Sequence, residues 1–295
     1  MSKNIKVSVI VNCFNGQKYL HKCIGSILNQ EYQNFEIIFW DNNSSDNSIE
    51  IAKKFKDDRI KIFKNTITEK LYKARNKAIN KSSGELIAFL DCDDWWETDF
   101  LSSREKTFND INYDFFYTNT NLYLEKKKKF IPYRKKKLPS GNISKELYKD
   151  YFICISGLVV RKEIFSKIGK FDENFNIIGD FDFVMKMAHK FYGKADNNLL
   201  LNYRSHDDNF LKTNREMYYK EFKEWVKKID PKIIYNNELK LIKEKLSYLE
   251  ISYLIEELKN FDLFIKILRH SNFNQKIKFL ILFFLPLKLI KLFRK

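Results

Sequence analysis

The sequence predicts an α/β fold: a mostly parallel sheet with flanking helices, continued by a C-terminal helical extension. Three observations predict it. Strand-like and helix-like patterns alternate through Lys6–Leu90, as a parallel sheet with crossover helices requires. From Lys212 onward the pattern is nearly all helical, broken at Asp230–Pro231 and Pro286. The 295 residues are 44% hydrophobic and 16% aromatic, enough for one large domain or two small ones, which excludes a disordered or collagen-like chain.

Lys6–Phe14 is β-branched and apolar and reads as the opening strand, and Lys18–Gln30 sets Tyr19, Leu20, Cys23, Ile24, Ile27 and Leu28 at helical spacing. Phe35–Trp40 is a short apolar run followed by Asn/Ser/Asp punctuation and a helix over Ser48–Lys56. Arg59–Phe63 reads as a strand, Glu69–Asn80 as a helix and Glu85–Leu90 as a strand. Beyond Trp96 the alternation weakens. The pattern gives a helix near Glu97–Asp110, a strand near Asp114–Leu124, a basic segment, a strand at Leu158–Val160, a helix at Phe181–Phe191 and a strand at Asn198–Arg204. No internal repeat or low-complexity linker is present. Ligands of such sheets gather at the carboxyl ends of the strands, which directs attention to the residues after Phe14, Trp40 and Leu90.

The eight glycines are dispersed, never two apart, which excludes a G-x-G dinucleotide fingerprint and a Walker loop. Cys13, Cys23, Cys92 and Cys154 form no C-x-x-C and no zinc spacing with the four histidines, and read as reduced thiols of a cytosolic protein. The run VSVIV near the start is too short for a signal-peptide core. Phe279–Leu287 is apolar for nine residues, well below the roughly 20 that span a bilayer. Flanked by Lys276, Lys278, Lys288, Lys291, Arg294 and Lys295, it reads as a helix lying in a membrane interface; the alternative is a helix packed on the body.

Lys+Arg number 54 against 38 Asp+Glu, a net charge of +16. Segments 126–137 and 263–295 each carry eight Lys/Arg and no acid; without them the basic count falls to 38 and the rest is formally neutral. Two discrete patches on a neutral body point to an anionic surface met at particular places, rather than to a nucleic-acid stripe. A nucleic-acid binder stays a rival, because Phe130 and Tyr133 interleave with the lysines of 126–137.

Acids stand where the strands end. Asp41 closes FEIIFWD, placed to accept from a nucleobase N–H or a ribose hydroxyl, while Ser44, Ser45 and Asp46 supply helix caps. Asp91, Asp93 and Asp94 lie within four residues after the Leu90 strand. Such crowded carboxylates suggest a counter-cation, and oxygen donors suit Mg²⁺ or Mn²⁺ bridging to phosphates. Asp180 and Asp182 sit at a helix start, where capping is the competing role. Trp95 and Trp96 either stack on a sugar or pack beneath the site. His206 ends the last strand and alone would rank as structural.

Taken in order, these segments resemble the family 2 inverting glycosyltransferases, whose fold is GT-A, a Rossmann-like sheet with flanking helices. VSVIVNCFNGQKYLHKCIGSILNQ resembles the family's opening strand, turn and helix, and FEIIFWDNNSSDNS its D-[DN]-x-S-x-D element. KARNKAINKSSGELIAFLDCDD resembles the A-R-N helix and D-x-D strand, GKFDENFNIIGDFDFVMK the G-x-F-D-E segment with its acidic base, and YRSH the late Y-R-x-H element. The resemblance spans about residues 5–210. It implies a GT-A domain over 1–210, with a nucleotide-binding half to 95 and an acceptor half from 96, and leaves 211–295 as a helical, membrane-associating region.

Carried over by position, the resemblance implies Asp41 at the nucleobase, Phe14 and Asn15 lining its pocket, and Arg75 near the nucleotide. Asp91 holds the ribose or the metal-bound diphosphate, Cys92 is counted among the donor-contacting residues, and Asp93 coordinates Mn²⁺ or Mg²⁺. His206 approaches the metal or diphosphate, Asp91 is a further metal candidate, and Asp180 is the general base. Departures are Asn12 for the common Pro, Lys70–Leu71 where Gly is frequent, and Gly179 where many members have Glu. The implied reaction moves one sugar from a nucleotide sugar, UDP-linked by expectation, to a glycan or lipid-linked glycan in capsule or lipooligosaccharide synthesis. The expected partners are that donor, that acceptor and an anionic membrane surface, with no nucleic acid. The expected location is cytoplasmic, peripheral on the plasma membrane. A nucleotide-sugar-binding scaffold without turnover is the alternative.

Overall fold

The structure is a computed structural model that describes residues 4–229, 236–257 and 259–287. The break expected at Asp230–Pro231 and the basic residues Lys288, Lys291, Arg294 and Lys295 lie outside the described residues. The chain divides into two compact units between His206 and Asp207.

In the first unit the order is β1 (Val7–Cys13), α1 (Leu20–Leu28), β2 (Phe35–Asp41), α2 (Ser48–Lys54), β3 (Ile60–Lys64), α3 (Leu71–Lys81), β4 (Leu86–Phe89) and β5 (Trp95–Trp96). Then come α4 (Glu105–Phe108), β6 (Phe115–Leu124), β7 (Lys129–Pro132), α5 (Ser144–Lys149), β8 (Leu158–Arg161), α6 (Ile164–Ile168), α7 (Gly179–Lys190) and β9 (Gly193–Ser205). One sheet carries the order β3-β2-β1-β4-β8-β6-β9-β5, with β7 paired to β6. Strands β1 to β4 are parallel, β6 and β9 share their direction, and β5, β7 and β8 run against it. The sheet is thus mostly parallel, as the alternation predicts.

Strands β1 and β2 are buried along their whole length, which explains their continuous apolar runs. One face of the sheet takes Leu20, Cys23, Ile24 and Ile27 of α1 against Val9, Val11, Ile37 and Phe39. The other face packs rings from α3, α6, α7 and the loop between the last two: Tyr72 stacks on Phe171 and Phe165 on Phe183, and Phe171 tilts against Phe183. Buried among these strands, Glu36 accepts from Ser8 Oγ at 2.6 Å, the Ser83 N–H at 2.6 Å and Lys61 Nζ at 2.6 Å. Burial works to raise its pKa, but these donors prevail and hold it at about 2.

The structure departs from the expected elements in three places. The helix expected near Glu97–Asp110 is shortened: Trp95 and Trp96 form an edge strand opposite Asn202 and Leu201, Trp96 stacks on Phe100 at 3.9 Å, and a 3₁₀ turn at Ser102–Arg104 runs into α4. The apolar residues of that span, Phe100, Leu101 and Phe108, are buried in the core. The basic segment is also structured: Lys129–Pro132 is the return arm of a hairpin with β6, turning at Lys128 with φ +48°. Short α5 and α6 add to the pattern.

The second unit holds α8 (Phe210–Thr213), α9 (Arg215–Lys228), α10 (Asn236–Glu257), α11 (Phe261–Arg269) and α12 (Phe273–Phe284). Its breaks fall where asparagines cap: Asn260 accepts from the Leu263 N–H and Asn272 from the Gln275 N–H. Its core joins Ile251, Ile255, Leu263, Ile267, Phe279 and Leu282. Phe273, Ile277, Ile281 and Phe284 of α12 remain exposed at helical spacing, one apolar stripe.

Candidate active site

The loops after β1 and β2 are stitched together. Asn15, in the left-handed region at φ +52°, accepts from the Ser45 N–H at 2.9 Å while its own N–H donates to Ser44 Oγ at 2.9 Å. The Gly16 N–H donates to Ser48 Oγ at 3.0 Å and the Gln17 N–H to Asp46 at 2.9 Å. A Cβ at Gly16 would lie 2.8 Å from both Cys13 Sγ and Cys92 Sγ, so the turn requires glycine. This places the Cys92 thiol beneath the β1 turn. Phe14, 52% exposed, stands at the mouth of these loops.

Asp41 is fully buried at the end of β2. Its Oδ2 accepts from the Ser44 N–H at 3.0 Å, and its Oδ1 has no partner among the described residues. A buried carboxylate oxygen without a donor is costly, and it suits a site that receives an N–H or O–H from a ligand. Asn12 and Trp40, neighbours in the β1–β2 register, add two unpartnered amide atoms and an unpartnered indole N–H. Neither residue is among the sites that the sequence points to; a polar Asn inside the apolar strand VSVIVNC was the available signal.

Asp91 comes after β4. Arg75 on α3, only 2% exposed, places Nη2 2.5 Å from Asp91 Oδ1 among the rings of Tyr72, Phe89 and Phe171. The guanidinium therefore faces Asp91 from beneath rather than open solvent. Burial raises Asp91 to about 6, Arg75 opposes, and the charges of Asp93 and Asp180 add to the rise. About 35% of the Asp91 side chain still faces water, which softens that burial.

Asp93 Oδ2 lies 3.0 Å from His206 Nε2, and its carbonyl accepts from Arg204 Nε at 2.9 Å. The His206 ring packs on Tyr19 at 5.0 Å. A carboxylate beside an imidazole is a donor pair that fits Mn²⁺ and also admits Mg²⁺. Among the described residues no group of three His, Cys, Asp or Glu forms a complete cage, so phosphate oxygens of a ligand would have to complete the shell. Asp94 is structural: it accepts from Ser156 Oγ at 2.6 Å and the Arg204 N–H at 2.9 Å, and burial raises its pKa.

Asp180 is the second residue of α7. Its Oδ1 accepts from Tyr72 Oη at 3.0 Å and the Phe181 N–H at 2.7 Å. Burial raises its pKa, while Arg75 and these two donors lower it. Asp182 is occupied along the helix by Lys186 at 2.6 Å. Both tryptophans are packed. Trp96 donates to the Ser156 carbonyl at 2.7 Å, and Trp95 lies under Lys22 and Arg204. A cavity of about 420 Å³ adjoins the Asp41 loop, against Ser44, Asp46, Phe63 and Lys64. Another, of about 460 Å³, lies in the second unit against Lys240, Ser247 and His270.

Residues 8–169 match the family profile of glycosyl transferase family 2, more than half of the chain. The chain belongs to glycosyl transferase family 2. A UDP-Glc:alpha-D-GlcNAc-diphosphoundecaprenol beta-1,3-glucosyltransferase of Escherichia coli, WfaP, is 36% identical over 124 residues, 41% of this chain and 47% of the relative. A Campylobacter jejuni GalNAc(5)-diNAcBac-PP-undecaprenol beta-1,3-glucosyltransferase is 32% identical over 238 residues, 78% of this chain and 62% of the relative. The chain thus spans less than two thirds of either relative's length. Among solved structures, Staphylococcus aureus TarS with UDP-GlcNAc superposes with TM-score 0.64 at 16% identity, over 94% of this chain and 81% of that one. The mannosyltransferase PcManGT of Pyrobaculum calidifontis, with GDP-Man and Mn²⁺, gives 0.62 at 11% identity, over 96% and 86%. At these identities the likeness is one of fold, and that fold is GT-A.

Proposed function

We propose that this family 2 member transfers one sugar from a nucleotide sugar, with UDP as its nucleotide, to an acceptor hydroxyl with inversion. The carrying observation is Asp180: Tyr72 Oη and the Phe181 N–H hold its Oδ1 at the start of α7. A carboxylate anchored through one oxygen is suited to take a proton on the other.

In this reading the phenyl ring of Phe14 offers a face to the nucleobase, and Asp41 Oδ1 accepts its N–H. Asp91, oriented by Arg75, accepts from the ribose. Asp93 and His206 offer carboxylate and imidazole to a divalent cation, Mn²⁺ or Mg²⁺, whose charge would stabilise the leaving nucleoside diphosphate. The acceptor oxygen bonds to the anomeric carbon as the bond to the diphosphate oxygen breaks, and the acceptor proton passes to Asp180 Oδ2. One displacement inverts the centre, and no covalent enzyme intermediate forms. A panel of nucleotide sugars with Mn²⁺, scored by thermal stabilisation and slow donor hydrolysis, tests this; stabilisation by UDP-sugars is the expected result, and no response to any donor contradicts it.

The proposed acceptor is a lipid-linked glycan, in keeping with the printed activities of the Escherichia coli and Campylobacter jejuni relatives. Among the described residues no helix is long and apolar enough to cross a membrane. The exposed stripe Phe273, Ile277, Ile281 and Phe284, flanked by Lys276 and Lys278, supports a peripheral contact with an anionic lipid surface on the cytoplasmic side. The exposed lysines 126–129 of the β6–β7 hairpin suit the same anionic chemistry.

A further inference from the structure

Resting on the reading of Asp180 as the base, we propose that Tyr72 is its positioning residue: the phenol fixes one carboxylate oxygen so that the other meets the acceptor hydroxyl. Tyr72 and Asp180 are 108 residues apart, joined by the 3.0 Å hydrogen bond to Oδ1. The same hydroxyl lies 2.8 Å from the Ile177 carbonyl, in the turn that enters α7. One phenolic proton thus bridges two acceptors and ties the start of the helix to α3.

The ring itself cannot swing away. It is 2% exposed, stacked on Phe171 at 5.4 Å, with Phe171 held in turn by Phe89 and Phe183. Its other neighbour is the backbone of Gly179, the residue before Asp180. A Cβ there would come within 2.4 to 2.6 Å of Tyr72 ring atoms, so the ring and any side chain at 179 exclude one another. Glycine at 179 is therefore the counterpart of tyrosine at 72, and their contact sets the height of the first turn of α7.

Helix α3 also carries Arg75, three residues on, which holds Asp91. Residues three apart share a helix face, so one rigid element orients both carboxylates. The titratable groups around Asp180 are Tyr72 and Arg75 from α3, Asp91 after β4 and Cys154 before β8. Only Tyr72 among them donates a hydrogen bond to it. A donor to the ionised form favours that form, so its loss moves the titration of Asp180 to higher pH.

The test is Tyr72→Phe, which keeps the ring and the Gly179 packing and deletes the hydroxyl. Two readouts are taken: the ¹³C titration of the Asp180 carboxyl, assigned with Asp180→Asn, and the pH profile of kcat/KM. The expected result is a carboxyl titration displaced to higher pH, with kcat/KM down about tenfold at the acidic end, less than about threefold at the alkaline end, and donor KM unchanged. Superimposable titrations and profiles would overturn the inference, since a packing role survives in phenylalanine. Gly179→Ala, which displaces the ring with its hydroxyl, is expected to lower kcat in wild type and to add nothing on a Tyr72→Ala background; a silent Gly179→Ala contradicts the steric part. A displaced titration in a chain that transfers no sugar sinks the proposed reaction and leaves the positioning standing; an unmoved titration in an active chain does the reverse.

Discussion

Arg75 Nη2 sits 2.5 Å from Asp91 Oδ1, a buried guanidinium on α3 holding a carboxylate that is 35% exposed just after β4. In the proposed reading the donor side of the site depends on this pair. Arg75→Met removes the charge at similar volume and leaves Asp91 without its partner. Donor binding, measured by calorimetry with Mn²⁺ present, is expected to weaken on the order of tenfold. Unchanged affinity would mean that Asp91 is positioned by something else.

In the proposed reading Asp93 and His206 supply the other half. Asp93→Ala is expected to abolish the Mn²⁺ dependence of donor binding, and His206→Ala to weaken it, with EDTA reproducing the loss in wild type. Stabilisation by donor that is indifferent to EDTA would remove the metal from the account.

Stability carries its own pH signature. Glu36 is held at about 2 in the folded protein against an ordinary value of 4.5. A lowered pKa stabilises above the unfolded value and loses that contribution as pH falls from 4.5 towards 2. Glu36→Gln is therefore expected to cost on the order of 2 kcal/mol at pH 7 and little near pH 2, read from urea melts at both. An equal cost at both pH values would exclude the charge as its source.

On α12, Phe273→Gln, Ile281→Gln and Phe284→Gln change exposed positions and leave the buried Phe279 and Leu282 in place. The triple variant is expected to stay in the supernatant when sedimented with phosphatidylglycerol vesicles, while wild type pellets with them and not with phosphatidylcholine. Deletion of 272–295 should do the same. Equal pelleting of variant and wild type would rule out the stripe as the docking face.

How much of the fold is legible in the sequence depends on the range of the interactions. Strands β1, β2 and β4 are legible because burial on both faces demands unbroken runs such as VSVIV, and the acids that end them stand out against those runs. The edge strand at Trp95–Trp96 is not, because its partners Leu201 and Asn202 lie a hundred residues away. The arm Lys129–Pro132 hides among lysines, since an edge strand with its side chains in water needs no apolar run. The caps at Asn260 and Asn272 were equally hidden within an otherwise helical pattern. Among the candidate residues, Asp41, Asp91 and Asp93 stand out by their place at strand ends, whereas Asp180 and His206 take their proposed roles only from the family resemblance. The burial of Arg75 and the link from Tyr72 to Asp180 depend on packing between elements, which no local pattern encodes.

The measurement that bears most directly on the central claim is transfer by Asp180→Asn with a UDP-sugar donor and a lipid-linked acceptor, beside donor binding by the same protein. The account predicts transfer reduced about a thousandfold with donor affinity within about threefold of wild type. Transfer at the wild-type rate would contradict it and remove Asp180 from the role of base.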